Sequence, residues 1–127
     1  MGDSGGATTA GDKDAVRQAV MVYIKGMHSG KADMVKEVVH PSANMMAVSA
    51  SNGISMPKNY SEIMEAAAKH EASGEMPKAG PKVEVLDVSG NLASVKLTSP
   101  RGAAMMQLVK EDGNWKILQI LSQMNHK

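Results

Sequence analysis

Side chains able to move a proton or orient a ligand are few in this 127-residue chain, and they bound the chemistry it could do. Tyr23 lies among apolar residues at helical spacing. Its hydroxyl either donates a hydrogen bond to a ligand carbonyl inside the domain or is satisfied locally, as in an amphipathic core tyrosine. His28, five residues on, could serve as a base facing a pocket or could interact with the C-terminal end of its own helix. His70 follows Ile63, Met64 and Ala67 at helical spacing, so it is either a partly buried base or a cap on the last carbonyls. His40 precedes Pro41 and reads as a turn residue, and His126 as a solvated tail residue. No histidine pair has i,i+4 spacing on a helix or a His-x-His pattern on a strand, and cysteine is absent. No metal and no cofactor is therefore expected. There is no Ser/His/Asp nucleophile pattern and no Gly-rich phosphate loop; Lys31 after Gly30 is not part of one.

Two amides stand among apolar neighbours. Gln107 shares a strand face with Met105 and Val109, and Gln119 shares one with Ile117 and Leu121. A buried amide needs a hydrogen-bond partner, which here could be a ligand, a water or its counterpart across a dimer interface. The chain has 12 Met and no Phe. Methionine is flexible and polarizable; it either replaces Phe as core bulk or lines an adaptable apolar cavity. The candidate ligand pocket is accordingly Tyr23, Met27, Met45, Met64, Met105, Gln107 and Gln119, suited to a small apolar ligand.

These side chains must be positioned by one domain, since the length suffices for a single core but not for two. A net charge of +1, from 14 basic and 13 acidic residues, makes no electrostatic case for nucleic acid or a membrane surface. No apolar run approaches the roughly 20 residues of a membrane span. Residues 1–11 are small and polar and read as a disordered tail, leaving the domain at residues 12–127. The tail lacks the charged start and apolar stretch of a signal peptide. It is either a cloning remnant or the linker left after a leader is removed. The expected protein is soluble and of bacterial type, cytoplasmic or exported.

The periodicity predicts a helix over 12–29 with Asp12 as N-cap, Val16, Ala19, Val20, Tyr23 and Met27 on one face, and Gly30 as its end. A short helix over 31–39 stops at His40-Pro41. Residues 43–48 read as a strand and 54–56 as a strand stub. Asn59 caps a third helix, with Glu62 completing a capping box. Residues 71–81 read as a loop. The rest alternates as strands over 82–88, 92–99, 103–111 and 115–124, the last two joined by an Asp112-Gly113 hairpin turn with the only Trp just after it.

This order resembles the nuclear-transport-factor-2-like superfamily, the fold of ketosteroid isomerase and SnoaL, and within it the putative lumazine-binding family. The residues carrying the resemblance are Tyr23-Ile24-Lys25-Gly26 with Gly30 and Met34, then Val39-His40-Pro41-Ser42-Ala43. They continue through Val85-Leu86-Asp87-Val88 with Gly90 and Ala93, and end in Leu108-Val109-Lys110 and Gly113-Asn114-Trp115-Lys116-Ile117. The resemblance implies an α+β fold: a strongly curved antiparallel sheet wrapped around three helices into a cone, with a pocket between sheet and helices. It also implies a homodimer packed through the outer sheet face. The last strand supports that, because with Ile117 and Leu121 on one face and Leu118 and Ile120 on the other it needs cover on both sides.

In ketosteroid isomerase a helix-one Tyr and an Asp form an oxyanion hole and a second Asp is the base. Tyr23 matches the Tyr, but the base position falls near Ala47, and strand 103–109 offers Ala, Met and Gln where the remaining acid would stand. The leading expectation is therefore a non-catalytic domain that binds a small apolar ligand. A SnoaL-like isomerase, cyclase or dehydratase using Tyr23 with His28 or His70, and a dimeric scaffold without ligand, are the alternatives. With Tyr23, Tyr60 and Trp115 as the only aromatics, the chain is poorly equipped to stack a flavin-like ring.

Overall fold

The computed structural model describes residues 10–49, 53–54, 57–69, 82–99 and 102–124. The order is α1 (Ala10–Ser29), α2 (Ala32–Val38), β1 (Val39–Ser49), β2 (Gly53–Ile54), α3 (Tyr60–Lys69), β3 (Lys82–Ser89), β4 (Leu92–Ser99), β5 (Gly102–Glu111) and β6 (Asn114–Met124). One six-stranded sheet runs β2-β1-β6-β5-β4-β3. Its pairings are antiparallel except β1 with β6, which is parallel, so the sheet is mixed rather than wholly antiparallel. The curved sheet and three helices form the α+β cone that the resemblance implies.

Local signals set the helix ends. α1 begins at Ala10, so Asp12 lies in its first turn rather than capping it. Residues 1–9 of the expected tail, the loop over 71–81, His70 and His126 lie outside the described residues. Gly30 takes φ 67°, and the Lys31 N–H donates to the Gly26 carbonyl at 2.9 Å, the closure of a Schellman motif. At α3 the capping box is complete: Glu62 N–H donates to Asn59 Oδ1 at 3.0 Å, and Asn59 N–H to Glu62 Oε1 at 2.9 Å. After α2 the chain passes straight into β1, where Pro41 is accommodated in the irregular stretch between Val39 and Asn44. The Asp112-Gly113 turn has positive φ at both residues, 54° and 81°, the geometry of a type I′ hairpin.

Helices and sheet enclose one hydrophobic core. α1 contributes Val16, Ala19, Val20, Tyr23 and Ile24, α2 Val35 and Val38, and α3 Ile63 and Ala67. The concave face of the sheet supplies Val83, Val88, Ala93, Val95, Ala104, Met106, Leu108, Trp115, Ile117 and Ile120. α1 and α2 meet at Gly26, where an added Cβ would lie 2.7 Å from Val35 Cγ2 and 3.1 Å from the Val35 backbone N. Gly26→Val is therefore expected to destabilise the domain by about 1–3 kcal/mol through overpacking. It should appear as a lower urea midpoint with an unchanged m-value.

Two bulges decide which residues face the core. One lies in β6, between the Gln107↔Gln119 and Leu108↔Ile117 pairs; the other lies in β3, between Val85 and Asp87. The extra residue Leu118 puts Ile117 and Ile120 on the same, inner face and turns Gln119 and Leu121 outward. Strict alternation paired Ile117 with Leu121 and Gln119, and Leu118 with Ile120. The structure corrects that assignment, because one inserted residue reverses the phase of everything beyond it.

Candidate functional site

The concave face is built from rows of directly paired residues. Met45, Ile120, Met106, Val95 and Val85 form one row across five strands. The next row, one step further from the Asp112-Gly113 turn, is Ala47, Ser122, Ala104, Leu97 and Val83. Three small residues on adjacent strands leave the second row lower than the first. A hollow of about 180 Å³ opens there, lined by Leu97, Ser99, Gly102, Ala103, Ala104, Ser122 and Gln123. Ser122 Oγ donates to the Met46 carbonyl over a long 3.5 Å, and Ser99 Oγ to the Gly102 carbonyl over the same distance.

Of the residues expected to line a pocket, Tyr23 is buried in the core, and Met27, Met45 and Met64 pack half-buried against it. These four come from α1, β1 and α3 and share one cluster with Ala104 and Met106. Met105, Gln107 and Gln119 lie elsewhere. All three are exposed on the outer face of the sheet, and Met106 and Ala104 take the inward positions of β5. Both faces of β5 are rich in apolar residues, so alternation separates them correctly without marking which one faces the core. Ala104, Ser122 and Leu97, the lining of the hollow, were missed. Their signal was faint: small residues at matched positions on neighbouring strands.

Burial pushes the Tyr23 hydroxyl well above the ordinary tyrosine range, because the phenolate would be stranded in an apolar interior. Tyr23 therefore stays protonated across the working pH range. Among the described residues no charged side chain is buried, and no cluster of three His, Asp or Glu is placed to hold a metal. Ala47 stands on the inner face of β1, paired with Ser122. His28 is half-buried in the last turn of α1. His40 Nδ1 accepts the Ser42 N–H at 3.0 Å, while its Nε2 meets Glu111 Oε1 at 3.2 Å. That residue fastens the start of β1 to the hairpin rather than facing the hollow.

The hairpin is held at a second point. Lys110 Nζ is 3.2 Å from Asp12 Oδ1 on α1 and 6.0 Å from the centroid of the Trp115 ring. Trp115 is buried, and its indole N–H has no hydrogen-bond partner among the described residues. A shallow cleft of about 530 Å³ lies beside it, between α1, the end of α2 and the β5–β6 turn.

The outer face of the sheet is the other distinctive surface. Met46, Leu121 and Met105 are paired across β1, β6 and β5, with Leu121 41% and Met105 47% exposed. Leu118, Val109 and Leu92 line a groove of about 280 Å³ beside them. No helix among the described residues is long and apolar enough to cross a membrane.

The fold recurs in solved structures. A nuclear-transport-factor-2-like protein of unknown function from Shewanella baltica superposes with a TM-score of 0.76 at 15% identity, covering 95% of this chain and 99% of that one. One from Silicibacter pomeroyi gives 0.71 at 14% identity, covering 94% and 100%. Another from Methylobacillus flagellatus gives 0.70 at 16%, covering 98% and 100%. At these identities the likeness shows the fold alone. No curated protein matches the sequence. The sequence profile of the family described as Putative lumazine-binding matches residues 11–121. With that match spanning most of the chain, the chain belongs to the Putative lumazine-binding family, and its fold is the one these nuclear-transport-factor-2-like structures have.

Proposed function

We propose that the domain binds a small apolar ligand, without catalysis, over the low row of its concave face. The observation that carries this reading is the hollow above Ala104 and Ser122, mostly apolar in its walls, with Ser99, Ser122 and Gln123 as its polar residues. Its volume of about 180 Å³ lies below the roughly 300–1,000 Å³ of drug-sized sites, so the ligand is small. The half-buried Met27, Met45 and Met64 are the flexible side chains of the same cluster, and rotamer changes there can enlarge the space. Tyr23 supplies a neutral donor from α1. A proton-transfer mechanism has less support, since none of the residues lining the hollow is a base.

Thermal shift with a panel of small aliphatic, sterol-like and flavin-like compounds tests the proposal. A ligand at a hundred times its Kd adds about 2.7 kcal/mol. In a domain of this size that raises Tm by on the order of 10 °C. Ala104→Leu, which fills the hollow, is expected to abolish the shift while the protein stays folded by circular dichroism. A panel without any stabilising compound, or a shift that survives Ala104→Leu, would sink the reading.

The partner of the outer face, on this proposal, is a second copy of the chain. Exposed Met105 and Leu121, adjoining Met46, form an apolar band of the kind that homodimer interfaces bury.

A further inference from the structure

Within the outer face, Asn44, Gln119 and Gln107 form a single row. Asn44 is paired with Gln119 across β1 and β6, Gln119 with Gln107 across β6 and β5, and Ser94 continues the line on β4. All three amides are exposed. The row divides apolar ground. Met46, Leu121 and Met105 lie on one side of it, and Leu118, Val109 and Leu92 on the other. From this row to Val48, the outer faces of β1, β6 and β5 carry no charged residue. The charges lie outside that band: on β3 and β4, where Lys96 opposes Glu84, with Lys82 and Asp87 beside them, and at Lys116 on β6, paired with Val109.

We propose that the Asn44–Gln119–Gln107 row fixes the orientation in which two copies of this chain pack sheet against sheet. The inference rests on the homodimer proposed above and says what aligns it. The layout suits a second copy. Each amide carries both donors and acceptors, so a row of amides is its own hydrogen-bonding complement. A two-fold axis sets a patch against itself, which lays charge-free band on charge-free band and leaves the charges at the rim. Apolar contacts alone are non-directional, and Met46, Leu121 and Met105 would pack at many angles. An orientation that presses the amides onto those side chains leaves them desolvated and unpaired. One orientation that pairs amide with amide avoids this. A polar row in an apolar interface thus selects one arrangement, as a single buried Asn selects the register of a coiled coil.

The chain has no cysteine, so a single Lys25→Cys on the exposed side of α1 gives one spin-label site per subunit. In the labelled full-length protein, double electron–electron resonance is expected to give one narrow inter-subunit distance. Adding Gln107→Leu and Gln119→Leu should keep the dimer by sedimentation velocity, and the fold by circular dichroism, but spread the distances into two or more populations. A single unchanged narrow distance in the amide-free variant would overturn the proposal while leaving the homodimer standing. Conversion of that variant to monomer would also overturn it, because the row would then supply affinity rather than alignment. A parent protein that sediments as a monomer removes the homodimer first and the inference with it.

Discussion

Trp115→Ala is expected to cost the domain about 3–5 kcal/mol, a large part of the stability of a small domain. Trp115 is buried where β6 begins, and Lys110, itself tied to Asp12, lies over its ring. Removing the ring opens a cavity between the hairpin and α1. It also deletes the surface over which the Lys110 ammonium sits, and the pieces around the cavity are too well tethered to collapse into it. Trp115→Phe separates these contributions. It keeps much of the volume and removes an indole N–H that is buried without a partner among the described residues, a group whose desolvation costs about 1–3 kcal/mol. Phe should therefore lie much closer to the parent than to Ala. Urea unfolding followed by far-UV circular dichroism measures both, since the variants lack the only tryptophan. An Ala variant within 1 kcal/mol of the parent would mean that the hairpin is not a structural anchor.

Leu121→Lys is expected to turn the proposed dimer into a monomer. Leu121 is 41% exposed and sits between Met46 and Met105 in the middle of the apolar band, so the charge does not disturb the core. In a two-fold interface each substituted subunit buries its own lysine against uncharged surface and brings it towards its twin. Like-charge juxtaposition of this kind costs several kcal/mol. At 1.4 kcal/mol per tenfold, the dissociation constant should rise by roughly a thousandfold or more. Sedimentation velocity at micromolar concentration reads the change directly, and an unchanged melting curve extrapolated to low concentration shows that the subunit fold survives. A variant that remains dimeric places the interface elsewhere.

The parts of this fold that were legible in the sequence are those fixed by neighbours along the chain. Asn59 and Glu62 cap each other across three residues, Gly30 ends α1 through its own positive φ, and Asp112-Gly113 makes a turn that only a few residue pairs make easily. The parallel pairing of β1 with β6 joins residues more than seventy positions apart, and nothing local encodes it. The site was harder to read for a related reason. Met105 and Met106 are chemically identical neighbours on a strand whose two faces are both largely apolar. Only the packed structure shows that Met106 faces the helices and Met105 faces out. Gln107 and Gln119 followed Met105 outward, so what had the look of pocket amides is a row on the opposite surface. The low row of Ala47, Ser122 and Ala104 exists only once three strands are in register.

The bulge at Leu118 acts on β6 as a frameshift acts on a message. Upstream and downstream of it the residues keep their identities, yet those from Gln119 onward are read on the opposite face from the one their numbering implies. When this strand is aligned with structures that share the fold at only 14–16% identity, the number of residues placed between Trp115 and Ile120 decides which face each residue is assigned to. An alignment that misplaces one gap there exchanges the inner face of the sheet for the outer one. Any transfer of binding residues between these proteins through this strand therefore has to start from the pairing, not from the letters.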